Sequence, residues 1–571
     1  MAAPSKTLFA SVSLLLLLGC KHDPEPGSPG RSTRSTKETL PPAPLPDVGS
    51  IPEDQPKDQT SGGTLKLPGL RASRSTCVAP CTVMFSIDAI EDGSDDNPFA
   101  HSGVYWDYDD PGADTRDGLI EHGGAFHRTK QGASRTHDTN TPLGMHTYAC
   151  EEDICTFHPG VAVQNAKGDW VTAWTTLKVR SQQIAFPATR TVCVSASGRW
   201  GGEHPCPPDA DQRSRLPAMT EWKNDTRYLL RRGEQFVTDR ACIPYGSRGI
   251  VLDSFGDSAD PKPELDAFGI GRSRNCGRTE TTDREIDTYQ VPFWVEDITL
   301  TDLRVHSVAL GMTFKNITLH DLDMDFEKQP SGGVVYTAST DRCSRDQGLS
   351  CGRVPLPYGL YITDSTIVGS RTVPPGVNVG LVSAACPSFV GISGAEIRVA
   401  EEHNVRLECS SRFLAIHSDI NGEHIGQRGK KSAVTIRPEG TLAQDMLLGR
   451  RRQARSRDDV HESRYTVLKD LYLGTPRSVN NSARLTIAPT KAADREVSRY
   501  GVVSGNVTDM GAGKPNADAH LAGAGLVCYD DNVWETDKGC IDKGPGAIGD
   551  LYEPAQTNYP APAVPKPPAE Y

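Results

Sequence analysis

The chain has 571 residues, 37% of them apolar and 23% charged, with 54 Gly and 42 Pro. At roughly 100–200 residues per domain this allows several domains, and the balance is that of a soluble, turn-rich β protein. The formal net charge of −12 excludes a global basic field, so nucleic acid is not expected as a partner without a local basic patch. No Walker loop, dinucleotide fingerprint or nucleophile elbow is present, and nothing after the N-terminus is long and apolar enough to span a bilayer.

In chain order, Lys6 supplies a short basic region, Leu14 to Leu18 an apolar core, and Leu17-Leu18-Gly19-Cys20 closes it. The run is too short for a transmembrane helix and reads as a targeting segment. It resembles the signal sequence and lipobox of bacterial lipoproteins. That resemblance implies that residues 1–20 are a signal peptide, that Cys20 carries the lipid, and that the mature protein is extracytoplasmic, anchored to the outer membrane or cell surface without spanning it. A cleaved, unlipidated signal is the other reading. Residues 21–70, with Pro41-Pro42-Ala43-Pro44, are too polar and Pro-rich to offset their ordering entropy by burial, and are expected to form an extended tether.

There are 15 Cys. Without Cys20 the rest fall into close neighbours: Cys77 and Cys81, Cys150 and Cys155, Cys193 and Cys206, Cys242 and Cys276, Cys343 and Cys351, Cys386 and Cys409, Cys528 and Cys540. Local pairing fits an oxidising compartment, although spacing alone does not dictate connectivity. Zinc is the competing use, but no four-ligand spacing is present and no metal site is assigned.

Residues 71–183 contain short alternating segments such as Thr82-Val83-Met84-Phe85-Ser86-Ile87 and Gly103-Val104-Tyr105-Trp106, separated by turn residues, which suits a small antiparallel β-sandwich. Trp106-Asp107-Tyr108-Asp109-Asp110, His146-Thr147-Tyr148 and Gly168-Asp169 resemble the signature positions of polycystic-kidney-disease (PKD) domains, with Asp109 where the family has Gly. The resemblance implies an immunoglobulin-like spacer or binding module. Asp88, Asp92, Asp95 and Asp96 cluster in this region. Calcium takes several such oxygen ligands, but no EF-hand spacing is present, and a solvated acidic loop is the preferred reading. No cofactor is expected.

Residues 184–556 change character. Arg231-Arg232-Gly233-Glu234-Gln235-Phe236 resembles the R-x-G-x-x-F turn in the opening coils of right-handed parallel β-helix proteins. Val295-Glu296-Asp297-Ile298-Thr299-Leu300 returns nineteen residues later as Lys315-Asn316-Ile317-Thr318-Leu319. The period-2 alternation marks half-buried strands, and the Asp or Asn suits a bend because it tolerates the left-handed conformation. Similar phrases continue to Val507, which favours a β-solenoid over its rival, a large jelly roll. The expected fold is therefore all-β: an immunoglobulin-like (PKD-like) β-sandwich followed by a right-handed parallel β-helix. Residues 557–571 form a Pro-rich, mobile tail. At fold level the β-helix is similar to pectate lyases and other polysaccharide lyases, which does not set function.

The densest polar chemistry lies between Phe413 and Arg437. If Leu414, Ile416, Val434 and Ile436 point inward, then His417, Asp419, Thr435 and Arg437 point out, and the His417-to-Arg437 spacing is about one coil. β-Elimination on a uronic acid needs a cation for the developing carboxylate charge and a base for the adjacent proton. Arg437 fits the first role and His417 or Lys431 the second, with Asp419, Glu423, His424 and Arg428 as substrate contacts. The same residues also read as a ladder of ion pairs on a solvated face, which is the preferred reading. The basic run Arg450-Arg451-Arg452 reads either as a holder of an anionic polymer by phosphate or carboxylate pairing or, the preferred reading, as an exposed loop that the following Asp458, Asp459 and Glu462 can neutralise. The expected role is a noncatalytic binding or adhesive scaffold for extracellular or envelope polysaccharide. A polysaccharide lyase is the alternative, and an envelope-structural protein a third.

Overall fold

The structure is a computed structural model. It describes residues 59–60, 70–87, 103–110, 119–122, 125–128, 137–139, 141–164, 170–236, 242–266, 268–271, 295–311, 314–325, 334–337, 358–369, 380–385, 387–400, 403–408, 410–420, 432–437, 463–474, 485–487, 498–509, 519–521, 524–528 and 540–542. All belong to one compact unit, Asp47–Tyr571. Cys20, the tether, the Asp88–Asp96 cluster, Glu423, His424, Arg428, Lys431, the 450–457 basic run and the tail lie outside the described residues.

Strands from Thr191–Val194 onward stack into three long sheets of twelve, nine and ten strands, and away from the two ends each pairs with the strand three elements along the chain. Pairing is parallel throughout, as in Val295–Thr301 on Phe314–His320 and Phe314–His320 on Tyr358–Thr363. This is a three-sheet parallel β-solenoid. The nineteen-residue repeat is one coil, with Ile298 opposite Ile317 and Leu300 opposite Leu319. The core runs along the solenoid axis, from Tyr228 and Leu230 through Ile317, Leu319, Val390 and Phe413 to Val503.

Two columns of left-handed residues bend most of the coils. One column enters the first sheet: Asp225, Gly249, Asp297, Asn316, Gly359, Phe389, Arg412 and Tyr465 all have φ near +50° to +72°. The other leaves it: Asp302, Asp321, Asp364, Gly394, His417, Asp470 and Gly505. Short polar side chains tolerate this conformation by bonding locally. Asn316 Nδ2 donates to Asp297 Oδ1 of the preceding coil at 2.9 Å, so the expected bend is also a side-chain ladder. Just past the second column, inward Ser365, Ser418 and Asn506 accept from the Leu322, Ala395 and Leu471 amides. These buried donors would otherwise lack partners.

The N-terminal β region is built mainly from antiparallel pairs, with Leu177–Arg180 parallel to Thr76–Val78. One orders Gln59–Thr60, Trp170–Trp174, Gly160–Gln164, Gly103–Asp107 and His137–Thr139. Another pairs Leu70–Ala72, Cys81–Ile87 and Leu143–Tyr148. Trp106, Tyr108 and Tyr148 are fully buried. Asp109 has φ 54°, and its carboxylate accepts from the His158 amide at 2.8 Å. Disulfides join Cys77 to Cys81, Cys150 to Cys155 and Cys193 to Cys206, as the local-pairing expectation had it. Cys242 and Cys528 are also disulfide-bonded. Cys276, Cys343, Cys351, Cys386 and Cys409 lie outside the described residues, and of Cys540 only the strand backbone is described.

This region packs on the outer face of the first solenoid sheet. Its core cluster includes Tyr361, Phe389, Leu414, Ile416, Val467 and Val502 from five successive coils. The expectation that Leu414 and Ile416 point inward is therefore corrected: Phe413 and Ala415 face the solenoid core, and Leu414 and Ile416 face the N-terminal region. A strand buried on both faces is continuously apolar, so alternation cannot assign its sides. Each such side chain contributes roughly 1.5–3 kcal/mol by burial. Polar contacts direct the docking. Arg74 lies over the Tyr361 ring at 5.2 Å and donates to Thr318 Oγ1 at 3.0 Å. Tyr358 donates to the Ser73 carbonyl at 3.1 Å, and Arg412 Nε to Ser86 Oγ at 3.2 Å.

Candidate functional site on the outer faces of the solenoid

The outward side of the first sheet is covered at both ends. Over the first coils, Phe186 packs on Val251, and Trp200 stacks on Phe255 at 6.4 Å. Over the later coils sits the N-terminal region. Along the same sheet runs a row of polar side chains, most of them buried: Thr301 is 6%, Thr363 0% and Ser393 1% exposed. One position past the Leu252–Leu300 pair, Asp253 falls opposite Thr301, and Thr301 then pairs with His320, His320 with Thr363 and Thr363 with Ser393. Their neighbours Leu252, Leu300, Leu319, Ile362 and Ile392 fill the core, so alternation turns the polar residues outward.

Asp253 accepts from Gln182 Nε2 at 3.1 Å and from the Ser254 amide at 2.7 Å. Burial pushes its carboxyl up to about 6 against those two hydrogen bonds; the nearby Asp302 carboxylate adds to the rise and Arg227 opposes it. His320 Nδ1 shares a hydrogen bond with Thr363 Oγ1 at 2.9 Å, and Asp364 Oδ2 is 3.9 Å away. Its Nε2 has no hydrogen-bond partner among the described residues, and the side chain is 19% exposed. Burial holds this imidazole at about 4, although Asp321 and Asp302 pull it up and Lys262 pushes it further down. Both carboxylates beside it are neutralised. Arg232 and Ser254 hold Asp302, and Lys262 holds Asp321 at 3.0 Å. The Ser393 hydroxyl, 1% exposed, has no hydrogen-bond partner among the described residues. The row thus carries a carboxyl that protonates readily and an imidazole that stays neutral.

The second sheet presents one outward polar side chain per coil: Gln235, Glu264, Arg304, Asp323, Thr366, Glu396, Asp419 and Tyr472 lie in register. At its upper end His306 is clamped between Asp325 and Glu264, with Nε2 2.8 Å from Glu264 Oε1. Arg304 pairs with Asp325 at 2.8 Å. Burial raises the Glu264 carboxyl, but hydrogen bonds from His306 and Gln235 and the Arg304 charge outweigh it, leaving it below the usual range.

The expected pair of His417 and Arg437 does not form. Ile416 is opposite Lys469 in the first sheet, whereas Arg437 is opposite Glu408 in the third. A coil spans three sheets, so a twenty-residue spacing places these residues on different sides of one coil. His417 is 1% exposed, left-handed, and 3.3 Å from Asp470, which also binds Lys469 at 2.9 Å. Thr435 is outward as expected and bonds His403 Nδ1 at 3.1 Å. Asp419 lies on the polar column of the second sheet, between Glu396 and Tyr472.

Sequence reasoning passed over Asp253 and His320. The nineteen-residue repeat already sets Thr301 against His320, and the Ile250–Leu252 alternation turns Asp253 outward. The long stretch between Ile270 and Val295 hid the register between those two coils. Among the described residues, no group of three His, Cys, Asp or Glu is arranged to hold a metal ion, and no helix is long and apolar enough to cross a membrane. No protein-family model, curated protein or solved structure matches this chain.

Proposed function

We propose that this protein is a surface-held polysaccharide-engaging scaffold, with an extended glycan lying along the solenoid. The supporting observation is the polar column of the second sheet. Eight coils in succession offer one acid, amide, guanidinium, hydroxyl or phenol, repeating at the strand spacing of roughly 4.8 Å. Such a ladder suits a polymer with hydroxyls along its length, because each weak hydrogen bond is repeated and the rigid coils are already ordered before binding.

The remaining parts fit this role. The Leu17-Leu18-Gly19-Cys20 sequence would supply a lipid anchor at Cys20, and the Pro-rich tether would lift the folded unit from the membrane. The PKD resemblance fits a module packed against the side of the solenoid; the left-handed Asp109, where that family has Gly, supports it. The test is binding of the purified chain from residue 47 onward to a glycan array, with Asp419→Ala and Tyr472→Ala as variants. Selective binding that falls about tenfold or more in the double variant is expected, at roughly 1.4 kcal/mol per tenfold. No binding to any glycan, with folding intact, would remove this reading.

A further inference from the structure

The outer face of the second sheet meets solvent along the polar column. The side chains of Arg304, Asp323, Glu396 and Arg398 are 43%, 55%, 31% and 46% exposed. Each strand in this stretch turns two side chains outward about one buried residue: Asp323 and Asp325 about Met324, Thr366 and Val368 about Ile367, Glu396 and Arg398 about Ile397. The three outward pairs stack in register. Thr366 and Val368 therefore form an uncharged strip between two charged coils. The coils of Asp325 and Arg398 stand two strand spacings apart, roughly 10 Å, which lets a sugar ring lie across Val368.

The cations beside this strip are already matched by carboxylates. Arg304 Nη2 is 2.8 Å from Asp325 Oδ2, and its Nη1 is 4.0 Å from Glu264. Arg398 Nη1 is 3.0 Å from Glu396 Oε1. Lys262 Nζ is 3.0 Å from Asp321 and 3.5 Å from Asp323. Lys262 thus serves two carboxylates, and Asp419 adds a further one to the same column, so negative charge is in excess. A carboxylate or sulfate on a glycan would meet repulsion here, and would have to displace a protein carboxylate from its guanidinium. A neutral sugar needs neither. Guanidinium carries five N–H donors, and a paired carboxylate keeps lone pairs to spare. Each exposed ion pair can therefore donate to one sugar hydroxyl and accept from the next without breaking, while the Val368 methyl groups suit the C–H face of the ring.

We infer that this face takes a neutral, hydroxyl-rich polysaccharide, with a sugar ring seated on Val368 between the Arg304–Asp325 and Glu396–Arg398 ion pairs. The inference rests on the glycan-binding reading above and narrows it, because polymers of uronic acids and sulfated sugars are rejected. The ion pairs order their long side chains before the sugar arrives, which lowers the entropy lost on binding. Glu396 is the specificity-determining residue: it occupies the Arg398 guanidinium, and removing its charge frees that guanidinium for a carboxylate on the ligand.

The experiment measures binding of the purified protein to neutral glucan, mannan and xylan, and to polygalacturonate and dextran sulfate, at low and high salt. Neutral polymers should bind, with Kd changing less than about twofold between about 20 mM and about 500 mM salt, since no ligand charge is there to be screened. Val368→Ser and Arg398→Ala should each weaken that binding by about fivefold or more. Glu396→Gln should strengthen polygalacturonate binding at low salt by at least about threefold, a gain that loss of structure does not produce. All three variants should keep a cooperative thermal transition. Binding confined to the anionic polymers overturns this inference and leaves the glycan-binding reading standing. So does neutral-polymer binding that both Val368→Ser and Arg398→Ala leave unchanged. If no glycan binds at all, both readings fall together.

Discussion

Gly391 lies directly beneath Met145: a Cβ at this glycine would overlap the Met145 sulfur and press on that of Met84. The missing side chain is what lets the N-terminal region seat on the solenoid, because Gly391 is the outward residue between Tyr361 and Leu414. Gly391→Val should therefore overpack the interface and cost roughly 1–3 kcal/mol. Urea denaturation followed by tryptophan fluorescence measures this, with outward Thr366→Val on the second sheet as control. An unchanged midpoint for the valine variant would show that the interface yields.

Arg412 combines strain with two favourable contacts. It is left-handed at φ 55°, its guanidinium lies 5.0 Å from the Phe389 ring and 5.8 Å from the Tyr465 ring, and it reaches Ser86. Arg412→Ala keeps the strained backbone and loses the contacts, so it should cost about 1–2 kcal/mol. Arg412→Gly loses the same contacts but relieves roughly 1 kcal/mol of strain. The expected stability order is wild type, then glycine, then alanine, read from denaturant midpoints. Equal midpoints for the glycine and alanine variants would argue against strain at this position.

The two buried titrating groups give opposite limbs of stability against pH. His320 is lowered from its ordinary 6.5 to about 4, so its contribution is complete above 6.5 and is lost as pH falls through about 4. Asp253 is raised from 3.8 to about 6, so its contribution is complete below 3.8 and is lost as pH rises through about 6. Each limb amounts to at most about 3 kcal/mol. Melting temperatures measured from pH 3 to 8 should rise on the acid side for His320→Gln and on the neutral side for Asp253→Asn. A variant curve parallel to the wild type would remove the corresponding group from this account.

The Cys193–Cys206 disulfide ties the segment carrying Trp200 to the first coils. Replacing both cysteines by serine should cost roughly 3 kcal/mol, the chain-entropy value for a loop of this order. The effect should appear first as faster amide exchange in Phe255 and its neighbours. Exchange unchanged there would mean that packing alone holds the segment.

Much of this architecture could be read residue by residue. Asp297 and Asn316 announced a bend because their side chains tolerate positive φ, and the nineteen-residue spacing between them is the coil itself. Close cysteines paired with close cysteines wherever both partners are described. The functional surface was less legible. His417 and Arg437 looked adjacent because spacing was counted as if each coil lay on one sheet. The insertion before Val295 concealed that Asp253 precedes Thr301 and His320 in one row.

The sequence by itself determined the all-β class, the solenoid repeat and the residues that bend each coil. Those depend on local conformational preference and alternation, which neighbouring residues settle among themselves. Only the tertiary structure decided which side of Arg412-Phe413-Leu414-Ala415-Ile416 faces the axis. Both sides of that strand are apolar, one against the core and the other against a region more than three hundred residues earlier. The same docking covers the outer face of the first sheet at Tyr361, Leu414, Ile416 and Val467. Long-range burial, which no local pattern encodes, decides which side of each strand is structural.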